Sequence, residues 1–196
     1  MDKKVEFFFD VGSPSSYLAW TQLPALCERA GAALVFRPML LGGVYQATGN
    51  ASPASVPAKG RYTNVDFQRF ARRYGVPLTM NPHFPIITLY LMRATTGIQL
   101  RQPERFQAFL STVFKALWID ALNLNEPELT VRVLADGGFD PAEIDRLTND
   151  PEVKAALRAT TEEAVRRGVF GAPTLFVGEE MFFGQDRLDF VREALA

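Results

Sequence analysis

The sequence predicts an α/β fold. A β-α-β unit at the start and a β-β-α unit at the end share one sheet, with a large all-helical insertion between them. Three observations carry this reading. Residues 5–9 are a short apolar run with three phenylalanines, the pattern of a fully buried strand. Two further short apolar runs flank Gly178-Glu179 near the end of the chain. The stretch between the two halves has apolar residues at helical spacing.

The elements follow in order. Residues 15–30 form a helix whose apolar face is Tyr17, Leu18, Leu23, Leu26 and Cys27, and Gly31 ends it. Ala32 to Pro38 is the second strand. A helix between two neighbouring strands makes them parallel. Residues 41–63 are rich in Gly, Pro, Ser and Ala and read as a long loop. Loops of that length are usually functional or disordered. From about residue 64 to 168 the chain reads helical. Phe67, Phe70, Ala71 and Tyr74 share one face; Phe106, Phe109, Leu110, Val113, Phe114, Leu117 and Trp118 share another. Asn125 with Glu128, and Asp140 with Glu143, have capping-box spacing. Asp150-Pro151 opens a further helix that closes at Gly168. Strands at Thr174–Val177 and Met181–Phe183 precede a last helix from Gln185 to Leu195. The expected partition is a discontinuous sheet domain, 1–40 with 169–196, and a loop plus helical insertion, 41–168.

Bulk properties exclude several functions. The 196 residues are 47% hydrophobic, enough for a full core. A formal net charge of −1 gives no electrostatic reason to expect nucleic acid or an anionic membrane. No apolar run approaches the ~20 residues of a membrane span. Met1-Asp2-Lys3-Lys4 leads into a short strand without a signal-peptide pattern. The single cysteine, Cys27, cannot form an internal disulfide, which fits a reducing compartment, so a cytoplasmic protein is expected. Asn50-Ala51-Ser52 matches a glycosylation sequon by chance in such a chain. No metal is expected, since no ligand cluster appears. His83 is the only histidine. Cys27 lies on an apolar helix face and reads as core rather than nucleophile.

Ser13-Pro14-Ser15-Ser16 has the spacing of a C-x-x-C redox motif with both thiols replaced by hydroxyls. It stands between the first strand and the first helix. Ser13 therefore lies at the positive end of the helix field, among unpaired N–H groups. A sulfur placed there has its pKa lowered. Far downstream, Gly168-Val169-Phe170-Gly171-Ala172-Pro173-Thr174 looks like the loop that carries a cis-proline facing this helix start in thioredoxin-like folds. Only ~5% of X-Pro bonds in folded proteins are cis, so the expectation rests on the flanking pattern. A site built for sulfur without its own sulfur suggests a borrowed thiol, with glutathione the obvious one. The competing readings are plain ones. Ser13 or Ser15 caps the helix, and Pro173 marks a simple turn.

These residues resemble the DsbA-like branch of the thioredoxin superfamily, and within it the 2-hydroxychromene-2-carboxylate isomerases and the kappa-class glutathione transferases. The carriers are Phe9-Asp10-x-x-Ser13-Pro14, Leu41-Gly42-Gly43-Val44-Tyr45, Thr48-Gly49-Asn50, Pro57-Ala58-Lys59-Gly60-Arg61-Tyr62, Asn81-Pro82-x-Phe84-Pro85, the Gly168–Thr174 segment and Phe183-Gly184-Gln185-Asp186-Arg187. Their order covers nearly the whole chain.

The resemblance implies that Ser13 stabilises a glutathione thiolate and that Ala172 and Pro173 hold the cysteinyl backbone. It brings Asn50 toward glutathione or substrate and Lys59 toward an acidic substrate group. Asp186, with Gln185, would meet the γ-glutamyl end; Asp186 as a helix cap is the alternative. Gln185 departs from the family's small polar residue. Tyr45, Tyr62 and Phe84 would wall an aromatic pocket, or simply belong to the core. The expected activity is a glutathione-dependent isomerisation of a small aromatic carboxylate, by a homodimer. A kappa-like transferase that releases a conjugate, and a non-catalytic glutathione- or peptide-binding protein, remain alternatives. A thiol-disulfide oxidoreductase is disfavoured by the missing cysteines.

Overall fold

The computed structural model describes residues 3–196; Met1 and Asp2, read above as a start without a leader, lie outside the described residues. The elements are β1 (Lys4–Phe9), α1 (Pro14–Ala30), β2 (Ala33–Pro38), α2 (Leu41–Thr48), α3 (Pro57–Tyr74), α4 (Leu89–Arg101), α5 (Phe106–Trp118), α6 (Pro127–Asp136), α7 (Pro141–Asn149), α8 (Pro151–Arg166), β3 (Thr174–Val177), β4 (Glu180–Phe183) and α9 (Leu188–Ala194). Short 3-10 turns occupy Pro53–Ser55, Pro103–Arg105 and Gln185–Arg187.

The sheet order is β2-β1-β3-β4. β1 pairs with β2 in parallel and with β3 antiparallel, and Phe7 stands between Phe36 and Leu175. β3 and β4 form the expected hairpin. β1 is central and covered on both faces, which is why it reads as an unbroken apolar run. Val5, Phe7 and Phe9 enter the larger core with Leu18 and Leu23 of α1 and Phe114 of α5. Phe8 points the other way, into a smaller core with Met39, Val44, Ala164 and Phe176. The second face is therefore closed by α2 and α8. Full burial of each phenylalanine is worth about 1.5–3 kcal/mol. At the rim of this second core Arg167 pairs with Glu6 at 3.0 Å and lies 3.7 Å over the Phe176 ring.

Several local expectations are corrected. Residues 41–63 are not a loop. α2 begins at Leu41 and ends before Gly49, whose φ is 69°. α3 begins at Pro57, with proline at its N-terminal position. Gly42 and Gly43 hid α2 by their poor helix propensity. Gly43 serves close packing there: a Cβ would stand 3.2 Å from Thr161 of α8. Between α3 and α4 the chain is irregular, with a cis Phe84–Pro85 bond. Asn125 is no capping residue. α6 starts after Glu126 without a side-chain cap, and Asn125 instead accepts from the Ile87 N–H at 2.8 Å. Asp140 and Asp150 do cap α7 and α8, through the Ala142 and Glu152 N–H groups. α8 stops at Arg166, short of Gly168. The last helix begins at Leu188, because Gln185–Arg187 form a 3-10 turn.

Candidate functional site

The β1–α1 turn holds the candidate nucleophile-binding notch. Ser13 is the N-cap of α1 in extended conformation. Its Oγ accepts from the Ser16 N–H at 3.1 Å. The same hydroxyl donates to the Ala172 carbonyl at 3.0 Å. Capping uses an oxygen lone pair and leaves the O–H free to choose its acceptor. The capping and chemical readings of Ser13 are thus compatible at one atom. The Ala172–Pro173 bond is cis. Ala172 is half-buried and Pro173 buried. Pro173 offers its carbonyl to the Gly184 N–H at 3.0 Å, which joins this loop to the turn before α9.

Beneath the notch lies a residue with no role assigned from sequence. Asp10 is buried, and its carboxylate gathers three segments. Oδ1 accepts from the Gly12 N–H at 2.9 Å, Oδ2 from the Leu41 N–H at 2.9 Å and from the Thr88 hydroxyl at 3.0 Å. Burial raises its pKa above the ordinary 3.8, against the lowering effect of these three bonds. The Asp10 backbone carbonyl also accepts from the Ser13 N–H at 3.1 Å. Tyr45 of α2 is half-buried; burial raises its pKa, and the Asp10 charge adds to that.

The other expected site residues separate into two groups. Asn50 is tied to the loop of Pro173: its Nδ2 donates to the Phe170 carbonyl at 2.8 Å. Gln185 is buried, and its Oε1 accepts from the Ser15 hydroxyl. Its carbonyl accepts from the Tyr74 hydroxyl at 2.6 Å. The Gln185 side chain is therefore engaged with α1. Asp186 is exposed, pairs with Arg187 at 2.6 Å, and caps no helix: Gly184 precedes the turn. Lys59 and Tyr62 are exposed on α3, Tyr62 with the Arg69 guanidinium 5.9 Å from its ring. Phe84 is half-buried, 6.4 Å from the Trp118 ring, against the larger core.

A second feature absent from the sequence reading is an aromatic pair. Phe170 and Phe183 pack at 4.6 Å with both rings partly exposed. A Cβ on Gly171 would meet the Phe183 ring at 2.7 Å, so glycine is what lets the ring lie against the backbone at this position. The signal was present, since both phenylalanines flank quoted motifs, but their juxtaposition arises only from the β3–β4 hairpin. Cys27 is buried, and burial pushes its thiol up to about 11, as a core role requires. Among the described residues no cluster of metal-ligating side chains occurs. No helix among them is long and apolar enough to cross a membrane.

A sheet of this order, with a hydroxyl-bearing helix start facing a cis-proline loop, defines a thioredoxin-like scaffold without redox cysteines. The family model described as DSBA-like thioredoxin domain matches residues 4–196, and the chain belongs to that family. It is 33% identical to a 2-hydroxychromene-2-carboxylate isomerase of Sphingobium xenophagum, an alignment covering 100% of this chain and 99% of the relative. It is 29% identical to glutathione S-transferase kappa 1 of Rattus norvegicus, covering 94% of this chain and 87% of the relative. A solved 2-hydroxychromene-2-carboxylate isomerase superposes with a TM-score of 0.82 at 30% identity, covering 98% of this chain and 94% of that one.

Proposed function

We propose that this protein is a glutathione-dependent isomerase that interconverts 2-hydroxychromene-2-carboxylate and trans-o-hydroxybenzylidenepyruvate, or a related aromatic carboxylate. One observation carries the reading. The Ser13 hydroxyl caps α1 with its lone pair while its hydrogen faces the Ala172 carbonyl. This notch fits a thiolate: a donor that can turn, an adjoining helix N-terminus, and a half-buried Ala172 before the cis-proline for a peptide to lie against. The full-length similarity to isomerases of that name supports the substrate class.

Glutathione, when bound, would supply a thiol nucleophile for reversible addition to the conjugated carbon of the substrate and be regenerated at the end of the cycle. The chain's own residues hold and orient. Ser13 would turn its O–H from the Ala172 carbonyl toward a bound sulfur anion, a charge-assisted bond stronger than the one it replaces. The α1 N-terminus favours that anion. Lys59 is assigned to the substrate carboxylate and to the enolate charge that develops on addition. Asn50 holds the Ala172 loop in place through the Phe170 carbonyl. Phe170 and Phe183 offer an apolar wall for an aromatic ring. The protein is further assigned to the cytoplasm and, by resemblance, to a homodimer.

The test is ultraviolet-monitored conversion of benzylidenepyruvates with glutathione present at far less than one equivalent. Many turnovers per glutathione, with the free thiol titre unchanged, are expected. The similarity to kappa-class transferases favours a second reading, in which a conjugate is released and thiol is lost one for one with substrate. Stoichiometric thiol loss selects that reading.

A further inference from the structure

Between α2, α4 and α8 lies an open groove of about 710 Å³, within the range of small-molecule sites. None of Ser13, Asn50, Ala172 or Gln185 lines it. Its floor is apolar, formed by Leu40, Ala47, Leu89, Leu157 and Val165. Its rim carries Arg93, Lys154, Arg158 and Arg166 against one carboxylate, Glu162, on a chain whose formal net charge is −1. Glu162 is already engaged by Arg158 at 3.0 Å. Among the described residues no carboxylate lies within ion-pair distance of Arg93, Lys154 or Arg166. Arg93 and Lys154 are half-buried, and Lys154 Nζ has only a neutral partner, donating to Asn149 Oδ1 at 3.4 Å. Their partial loss of hydration is therefore not returned by an opposite charge of the protein.

We propose that this groove binds an elongated organic anion with an apolar body, a straight-chain carboxylate being the simplest case. The shape supports elongation. Its lining on α8 runs from Lys154 to Arg166, a rise of about 18 Å along the helix. The apolar floor accounts for the body of the ligand, and Arg93, Lys154 and Arg166, which have no carboxylate partner, account for its head. A nucleic-acid backbone would engage the rim and leave the floor uncovered. A second copy of the chain, docked about a two-fold axis through the groove, would bring the cationic rim against itself.

The test uses the whole protein and decanoate below its micelle-forming concentration, with the methyl groups followed by NMR. Saturable shifts at Leu40, Leu157 and Val165 are expected, with 1-decanol at least ten-fold weaker. The pair Arg93→Ala and Arg166→Ala together should weaken decanoate at least ten-fold. Ala47→Trp, which fills the exposed floor without touching a charge, should abolish binding. Ser13→Ala should leave it unchanged. Absence of saturation, shifts confined to other methyls, or equal affinity in the double variant overturns the proposal. So does a wild type that ignores decanoate but forms a dimer that Ala47→Trp dissociates. The wild-type shifts decide the matter if a variant fails to fold. No glutathione enters the experiment, so its failure leaves the proposed isomerase activity untouched.

Discussion

Asp10→Ala is the perturbation that most directly probes how the notch is held. The carboxylate accepts the Gly12 and Leu41 N–H groups and the Thr88 hydroxyl. Alanine leaves the part-buried Gly12 and Leu41 N–H groups without their acceptor. A buried, unsatisfied N–H costs about 1–3 kcal/mol, a part-buried one falls at the low end of that range, and Thr88 can rotate to another acceptor. Removing a buried charge returns part of this, because burial is the largest influence on the Asp10 pKa. A net loss of about 1–2 kcal/mol follows, a measurable share of the 5–15 kcal/mol typical of a domain. Urea unfolding measures it as a lower midpoint at constant slope. Thr88→Val removes one bond and should cost about 1 kcal/mol. Because the same carboxylate sets the Gly12 turn and the start of α2, Asp10→Ala should also reduce turnover, even at temperatures where the variant is fully folded. A loss below about 0.5 kcal/mol, or unchanged turnover, refutes the reasoning that three segments depend on this group.

The remaining predictions are smaller. For pH, a carboxyl whose folded pKa lies above its unfolded value binds more protons when folded. Between the ordinary value of 3.8 and the raised one, Asp10 therefore makes stability fall as pH rises, by at most about 1.4 kcal/mol per pH unit. Asp10→Asn should remove this contribution in urea titrations across that window; an unaltered pH slope contradicts it. Cys27, with its thiol held near 11, should react with Ellman's reagent at pH 8 only after denaturant is added, releasing one thiol per chain. Rapid reaction of the native protein would show that the thiol is not core. Gly171→Ala places a Cβ against the Phe183 ring, which is exposed enough to swing away. Stability should change by less than about 1 kcal/mol while turnover drops several-fold; a normal turnover would remove Phe183 from the site.

The sequence displayed the sheet well, and the physical reason is local. Phe7, Phe8 and Phe9 are buried on both faces and need no alternation, and the Thr174–Val177 strand begins where the cis-proline loop ends. Helix starts were legible where an aspartate and a proline mark them together, as at Asp140 and Asp150, whereas Pro57 alone did not reveal the start of α3. α2 was not, because Gly42 and Gly43 deny it propensity and its stability comes from packing on α8. Asn125 looked like a cap because its spacing to Glu128 is right; only the fold reveals that Ile87 claims it. Ser13 and Ala172 were recognisable as partners from their motifs. The Asp10 clamp was not, since two of its three partners lie 31 and 78 residues away in sequence. Gln185 shows the same limit: its motif did not reveal that its Oε1 accepts from the Ser15 hydroxyl, 170 residues away in sequence.

The most direct test is to titrate glutathione into the wild type and Ser13→Ala while following the thiolate absorbance across pH. The account predicts saturable binding by the wild type, with the bound thiol ionising below its free pKa. Ser13→Ala should still bind, but with that depression diminished and turnover at least ten-fold lower. A protein that does not bind the tripeptide, or a bound thiol that ionises no more readily than in water, would contradict it.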